Sequence, residues 1–472
     1  MKIERFKSIL LIMLVISSIV LTANNWYDKE LWPEGYSLFS GIKKHFSNEN
    51  ENIAKAFNPT EEVLRPAQII INKLNNHILY TKSSGNYEDL CDEITALLDV
   101  AFSSHAFTDS NVEEWNNRLK TDSCYFSYPV IYDATYFSSQ LSGIYPGKTR
   151  YFREFLVSVD QIIPSTLYLY IKDPESDNIE KIQLEYEGNR IDELIKDAQN
   201  NSTDVSYFSF ELNFNNADES SVKDHVIIDD NVLINIAEKR IQSIRENNVF
   251  EDIALNDTMC KSILEIFNYN TSGIRKYVEA DNSVVFVENY GTLKLHSNGI
   301  LDYKSLDSTN GITLEGNSVN ACLNSCITFV NKITSVIPTN GMYYEITSDI
   351  HDINSKSFTL TFDYFINDNQ IIMPHERYQI KNAVSVTVEN GKITSYTQLF
   401  NSFELIGTET NLRSAIDAID MLEYENKKDN EVVTDIFSAY SYNADTEIWQ
   451  PHWYVENSDG NISTISMNTE VQ

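Results

Sequence analysis

The sequence predicts an α+β protein: a single N-terminal transmembrane helix followed by a multidomain ectodomain of helices packed on antiparallel sheets. Three observations carry that prediction. An apolar run from Ile9 to Ala23, broken only by Ser17, Ser18 and Thr22, stands behind the basic residues Lys2, Arg5 and Lys7. In the carboxy-terminal half, segments that alternate apolar and polar residues flank Asn-Gly pairs. Between them lie stretches whose apolar residues recur three and four apart, the spacing of one helix face.

Ten of the fifteen residues in the apolar run are Ile, Leu or Val, each worth roughly −0.3 to −0.6 kcal/mol of insertion free energy. Extended through Asn24 to Tyr27, the helix reaches about 28 Å, close to a hydrocarbon core of about 30 Å. Trp26 and Tyr27 then fall where interfacial aromatics belong. A cleavable signal peptide fits less well, because Leu21 fills the −3 position of the best site, Leu21-Thr22-Ala23. A lipoprotein needs a Cys after the run, and the first is Cys91. The expectation is an uncleaved single-pass anchor over 9–27, with residues 1–8 cytoplasmic and the bulk of the chain extracytoplasmic in the cell membrane. Ser18 and Thr22 share a helix face with Leu11, Leu14 and Val15. Small residues four apart admit a second helix closely, so these five form the candidate partner-binding face.

At 472 residues the chain suggests about three domains. Its apolar content of 42% and aromatic content of 12% suffice for packed cores and exclude wholesale disorder. The 36 basic against 69 acidic residues give a net charge of −33, which excludes a general nucleic-acid binder, since phosphate contacts need clustered cations. The anchor sorts that charge, leaving 33 bases and 68 acids, net −35, on the extracytoplasmic side.

The elements follow in order. Residues 28–62 read as an irregular stalk ending in Asn58-Pro59-Thr60. Gln68–Asn72 and His77–Tyr80 read as a strand pair. A helix begins at Asn86 and places Leu90, Ile94, Leu97, Leu98 and Ala101 on one face, and a second begins with a capping box, Ser110 and Glu113, ahead of Val112, Trp115 and Leu119. Thr166–Asp173 and Lys181–Glu187 alternate as strands. A charged helix over Arg190–Gln199, a loop at 215–222 and strands near Val205–Phe214 and His225–Ile234 complete an N-terminal α/β unit, 28–245.

A middle α+β domain is expected over 246–312 and a C-terminal α+β domain with hairpin meanders over 313–472. Asn298-Gly299, Asn310-Gly311, Asn340-Gly341, Asn390-Gly391 and Asp459-Gly460 supply residues that accept the positive φ of tight hairpins. Helices over Met259–Phe267, Val319–Ile333 and Leu412–Leu422 each precede antiparallel strands, a loose repeat of a helix laid over a small sheet. Phe358, Leu360, Phe362 and Tyr364 share one strand face, as do Val384, Val386 and Val388.

Catalytic patterns are sparse. There is no phosphate-binding glycine loop, no GxSxG, no HExxH and no CxxC. Asp349, His351 and Asp352 form the densest polar cluster and read as a solvated connection. His375-Glu376-Arg377 reads as a polar turn. Trp449, Trp453 and Tyr454 lie on an alternating terminal strand and read as packing residues before sugar-stacking ones. Five scattered cysteines, Cys91, Cys124, Cys260, Cys322 and Cys326, make no disulfide scaffold, and Cys322 and Cys326 fall on a buried helix stripe. No catalytic residue, cofactor or metal site is assigned, and the chain reads as a non-enzyme. The alternative is a wall-facing carbohydrate-binding protein or hydrolase with an unrecognised carboxylate or aromatic site.

Four collinear segments resemble the YycH family: Lys7 to Leu11 through Trp26, Leu64-Arg65-Pro66-Ala67-Gln68-Ile69, Leu293 through Tyr303, and Trp449 through Val455. The resemblance implies an accessory regulator of the WalK/WalR cell-wall two-component system. Its partners would be a WalK-like sensor histidine kinase, met through the membrane helix, and a YycI-like sister protein, met through the ectodomain.

Overall fold

The structure, a computed structural model, describes residues 58–465 except 74–75, 104–106, 161–165, 177, 186–205, 213–226, 252, 270–273, 337–340, 352 and 426–431. The predicted anchor with Leu11, Leu14, Val15, Ser18 and Thr22, the helix expected over 190–199 and the loop at 215–222 lie outside the described residues. Among those described, no helix is long and apolar enough to cross a membrane.

Residues 58–62 of the expected stalk belong to a short helix and its cap, and 28–57 lie outside the described residues. Asn58 caps α1 (Pro59–Val63) by accepting from the Thr60 amide. The expected strand pair follows as β1 (Gln68–Lys73) and β2 (Asn76–Tyr80). Helix α2 (Tyr87–Phe102) buries Leu90, Ile94, Leu97, Leu98 and Ala101. After β3 (Thr108–Ser110), the cap of α3 (Val112–Leu119) is Asn111, whose side chain accepts from the Glu114 amide. Ser110 closes the preceding strand and donates to the Glu114 carboxylate, so the N-cap falls one residue later than expected and the reciprocal bond of a capping box is not made. Next come β4 (Ser123–Asp133), α4 (Ala134–Ser139), β5 (Tyr151–Val159), β6 (Thr166–Lys172) and β7 (Ile179–Glu185). Of the strand expected over 205–214, the described residues form β8 (Ser206–Phe208) and a 3-10 turn at Ser209–Glu211, and 205 and 213–214 lie outside them. Short strands β9 (Ile227–Ile228) and β10 (Leu233–Asn235) complete this half.

These strands, apart from β9, form a nine-stranded sheet in the order β10-β8-β2-β1-β4-β5-β6-β7-β3. It is buried on both faces. Ile69, Phe126, Phe155 and Leu169 face the main core with α2 and α4. Ile70, Tyr125, Leu156 and Tyr170 face the opposite way and are covered by Trp115 and Leu119 of α3.

The second half contains β11 (Lys239–Asn247), α5 (Asp257–Ile266), β12 (Arg275–Val278), β13 (Val284–Glu288), β14 (Gly291–Leu295), β15 (Ile300–Ser305), β16 (Ile312–Thr313) and α6 (Val319–Thr334). It continues with β17 (Met342–Ile346), β18 (Phe358–Ile366), β19 (Asn369–Ile371), α7 (His375–Tyr378), β20 (Val384–Glu389), β21 (Lys392–Leu399) and β22 (Ser402–Leu412). It ends with α8 (Ala415–Glu425), β23 (Val432–Asn443), β24 (Ile448–Asn457) and β25 (Ile462–Ile465). Leu412 thus closes a strand, and the helix expected from it starts three residues later.

The small separate sheets of the expected repeat are one sixteen-stranded sheet, joined edge to edge along the path β12-β13-β14-β15-β21-β20-β18-β19-β23-β24-β11-β22. Asn390 and Gly391 both take positive φ (51° and 76°) between β20 and β21, the turn expected of that dipeptide. Gly311 takes no such φ, and its segment only links β15 to β16. On the inner face, Leu293, Tyr303, Leu360, Val386 and Tyr396 pack with α5 and α6 into the same core that the first sheet's Phe126 and Phe155 enter. A smaller core sits under α8, where Ala418 and Ile419 meet Val433, Trp453 and Val455.

Candidate functional site

Where the two sheets meet, a row of charges runs inward from exposed Glu88 to the largely buried pair Lys82 and Glu345. The turn after β2, Thr81 to Ser84, leaves the nine-stranded sheet and lands on the end of β17 and β18. Lys82 Nζ lies 3.1 Å from Glu345 Oε1 on β17 and 3.2 Å from Glu62 Oε1 on α1. It also stands 5.2 Å from the centre of the Tyr343 ring. Arg65 extends the row, 3.7 Å from Glu62 and 2.8 Å from Glu88. Asp368, in the β18–β19 turn, accepts from Thr81 Oγ (2.5 Å), the Ser83 amide (3.2 Å), Ser83 Oγ and Tyr343 OH (3.0 Å). The result is an alternating row, Glu88, Arg65, Glu62, Lys82 and Glu345, that passes from one sheet to the other.

The row fixes what each group can do. Burial alone pulls the Lys82 pKa down, but Glu345 and Glu62 outweigh it and hold the ammonium charged well above the ordinary lysine range. A nucleophilic or basic lysine needs the opposite shift, so Lys82 serves as a fixed cation. Burial raises the Glu345 pKa, with Lys82 opposing. The gap beside the row, bordered by Arg65, Lys82, Tyr132, Tyr344 and Glu345, has room for a water molecule or two and no larger ligand.

Two further contacts reinforce the junction. Tyr132 and Ile350 form a parallel bridge, Ile350 N donates to Ile131 O at 2.8 Å, and Asp349 Oδ1 accepts from the Ile131 amide at 2.8 Å. The SDIHDIN segment is therefore a strap between sheets and not a solvated connection; Asp352 lies outside the described residues. His351 Nδ1 is 3.8 Å from Asp349 Oδ2. Further along, Tyr136 OH donates to Asn324 Oδ1 (2.8 Å) and Asn324 Nδ2 to Gln140 Oε1 (3.1 Å), joining α4 to α6. Among the described residues no group of three or more His, Cys, Asp or Glu is placed to hold a metal ion.

The other sequence candidates are absorbed by packing. Trp449, Trp453 and Tyr454 are buried, and Trp453 Nε1 donates to Arg413 O at 2.8 Å. Arg377 of the polar turn pairs with buried Glu246 (3.0 Å) and lies 4.1 Å from the centre of the Tyr442 ring. All five cysteines are free and buried. Burial pushes the Cys91 and Cys124 thiols up to about 12 and raises the other three, which leaves them inert as nucleophiles.

One cluster has no signature in the sequence. His77 Nδ1 lies 2.7 Å from Asn72 Oδ1, and its Nε2 lies 2.8 Å from Glu211 Oε2. Asn72 Nδ2 donates to Ser123 Oγ at 3.0 Å, and Ser123 Oγ is 2.9 Å from Arg118 O. Burial opposes ionisation of Glu211, but contact with His77 and the Phe208 amide holds its pKa below the usual range. The residues are those of a nucleophilic relay, yet Asn72 separates serine from histidine, and Asn72, His77 and Ser123 have no solvent exposure. A substrate has no route to them.

In sequence, no family model and no curated protein matches this chain. Its three-dimensional arrangement, two extended sheets sharing one core and joined at a charged seam, belongs to an α+β class already seen in a solved structure. The chain is similar to the crystal structure of YycH from Bacillus subtilis, with a TM-score of 0.55, 14% identity, and coverage of 88% of this chain and 98% of that one. An uncharacterized protein from Eubacterium rectale matches with a TM-score of 0.32 at 11% identity, over 48% of this chain and 82% of its own. The chain has a YycH-like fold.

Proposed function

We propose that the chain is a membrane-anchored extracytoplasmic regulatory protein that modulates a sensor histidine kinase of a cell-wall two-component system. The contacts would be made by the anchor over 9–27 and by the ectodomain, the latter with a YycI-like sister protein as well. The observation that carries the reading is the YycH-like fold over 88% of this chain, joined to the apolar run Ile9–Ala23, which reaches anchor length when extended through Tyr27. A helix regulates a kinase only through differential affinity for its two signalling states, and coupling of about 1–3 kcal/mol is ample. The face with Leu11, Leu14, Val15, Ser18 and Thr22 is the proposed contact. Burial supports this reading over the carbohydrate-binding alternative, because the described tryptophans, Trp115, Trp449 and Trp453, are enclosed in cores and line no open cleft.

Replacing both Ser18 and Thr22 with Leu should reduce co-purification of the kinase in detergent; undiminished recovery would remove that face from the account. Purified 28–472 should show no turnover of peptidoglycan or peptide substrates. Hydrolysis abolished by a single Asp or Glu substitution would favour the enzyme alternative.

A further inference from the structure

The two faces of the sixteen-stranded sheet are treated differently. On β18, β20 and β21 the outward residues are Thr359 and Thr361, Ser385 and Thr387, and Ser395 and Thr397, all at least partly exposed. Their inward neighbours Leu360, Val386 and Tyr396 are fully buried. The pattern continues on β13 to β15 with Val285 and Val287, Thr292 and Lys294, and Asp302 and Lys304. Edge strand β12 adds Arg275 and Tyr277, both exposed. The registers align these residues into continuous rows: Arg275 pairs with Val287, Val287 with Thr292, Thr292 with Lys304, Lys304 with Ser395, Ser395 with Thr387, and Thr387 with Thr359. Along these rows every residue is at least partly exposed, whereas further along β18 the same side closes over Asp363, which accepts from Gln370 and Asn382.

Its charge runs against the chain. In a protein of net charge −33, the row of Arg275 and Lys304 and the row of Lys294 and Asp302 together carry three cations and one carboxylate; Glu389, exposed beyond Thr387 on β20 and opposite Lys392, lies outside these two rows. Lys294 is paired with Glu279 at 2.9 Å, and Asp302 accepts from Thr397 Oγ at 3.1 Å. Arg275 and Lys304 have no carboxylate partner among the described residues. They stand in one row three strands apart, about 14 Å, with no acid in that row. We propose that this face is a docking surface for a partner protein that presents carboxylates about 14 Å apart, with the Ser and Thr rows hydrogen-bonding beside them. The inference rests on the reading of the ectodomain as a protein-contact module and specifies where that contact falls.

An open sheet face is the wrong shape for a small ligand, which needs a concave pocket. Two free cations are also too few for a polyanionic polymer, whose affinity scales with the number of charges neutralised. Seven strands span about 29 Å, so the two rows cover a few hundred Å2 against about 800 Å2 per partner in a standard interface, the size of a transient contact.

The test is fluorescence anisotropy of the full chain in nanodiscs with a fluorescein-labelled peptide alternating Glu and Thr. Its Lys-Thr counterpart and labelled dextran sulfate serve as comparison probes. The Glu-Thr peptide should bind, more weakly as salt is raised, and the Lys-Thr peptide should not. Arg275→Glu with Lys304→Glu should weaken binding at least tenfold, and Thr387→Glu should weaken it as well. Glu404→Gln with Glu409→Gln, on the exposed far edge strand β22, should leave it unchanged. Because all these positions lie on the surface, unaltered circular dichroism is expected in each variant. Equal binding of both peptides, no binding of the Glu-Thr peptide, indifference to the charge reversals, or tighter binding of dextran sulfate through the same residues would each overturn the proposal. Failure here alongside kinase recovery through the anchor removes this surface alone; success here with no kinase recovered removes the anchor reading.

Discussion

The two sheets solve the same problem in opposite ways. The nine-stranded sheet is covered on both sides, so that along one row Ile70, Tyr125, Leu156 and Tyr170 are as buried as the strand neighbours that point the other way. The middle of the sixteen-stranded sheet is covered on one side only, and its second face is a field of Ser and Thr. A sheet buried on both faces spends its surface on stability, whereas one with an open face keeps surface available for a partner. The Lys82 row joins the closed sheet to the open one.

The junction should give the largest effect. Lys82→Met leaves Glu345 and Glu62 without their shared cation and should cost about 3–5 kcal/mol in urea denaturation, while adding Glu345→Leu should restore much of it. A loss under about 1 kcal/mol would mean that the row is a surface ornament. Next comes the contrast itself. Leu156→Ala, on the second face of the closed sheet, should cost about 2–5 kcal/mol. Thr387→Ala, on the second face of the open sheet, should stay within about 0.5 kcal/mol. Similar losses at both positions would break the comparison. Gly299→Ala, in the β14–β15 hairpin, should cost about 1–3 kcal/mol, because Gly299 has φ of 96° and an added Cβ would fall 1.9 Å from Asn401 Oδ1.

The smallest expected effect concerns pH. The folded-state pKa of Glu345 is raised by burial, so the folded state binds its proton more tightly than the unfolded chain does. The stability of wild type relative to Glu345→Gln should therefore improve as pH falls from neutral into the carboxylate range. A gap that is flat or moves the other way would contradict the assigned direction.

What the sequence reveals follows the same divide. Strands β18, β20 and β21 are legible because one covered face produces alternation, as in Phe358 to Tyr364 and Val384 to Val388. Strands β4 and β5 are not, because residues 123–128 of β4 are all buried and the period of two disappears. The α3 cap shifts by one because Ser110 and Asn111 are both competent caps, and only the strand pairing of Ser110 decides between them. The seam was hidden for another reason. Lys82 stands in a turn that looks solvent-facing, and its partner Glu345 comes from the other half of the chain. Tertiary pairing of charges leaves no local period. The Ser and Thr rows likewise become a surface only when β18, β20 and β21 are placed side by side.

The proposal that this chain regulates a kinase through its anchor is tested most directly by a photocrosslinking amino acid at position 18 of the full chain, in its native membrane. The account predicts adducts to a transmembrane helix of a sensor histidine kinase, identified by mass spectrometry and lost when Thr22 is replaced by a bulky residue. Adducts to lipid alone, or recovery of the chain outside the membrane fraction, would contradict it.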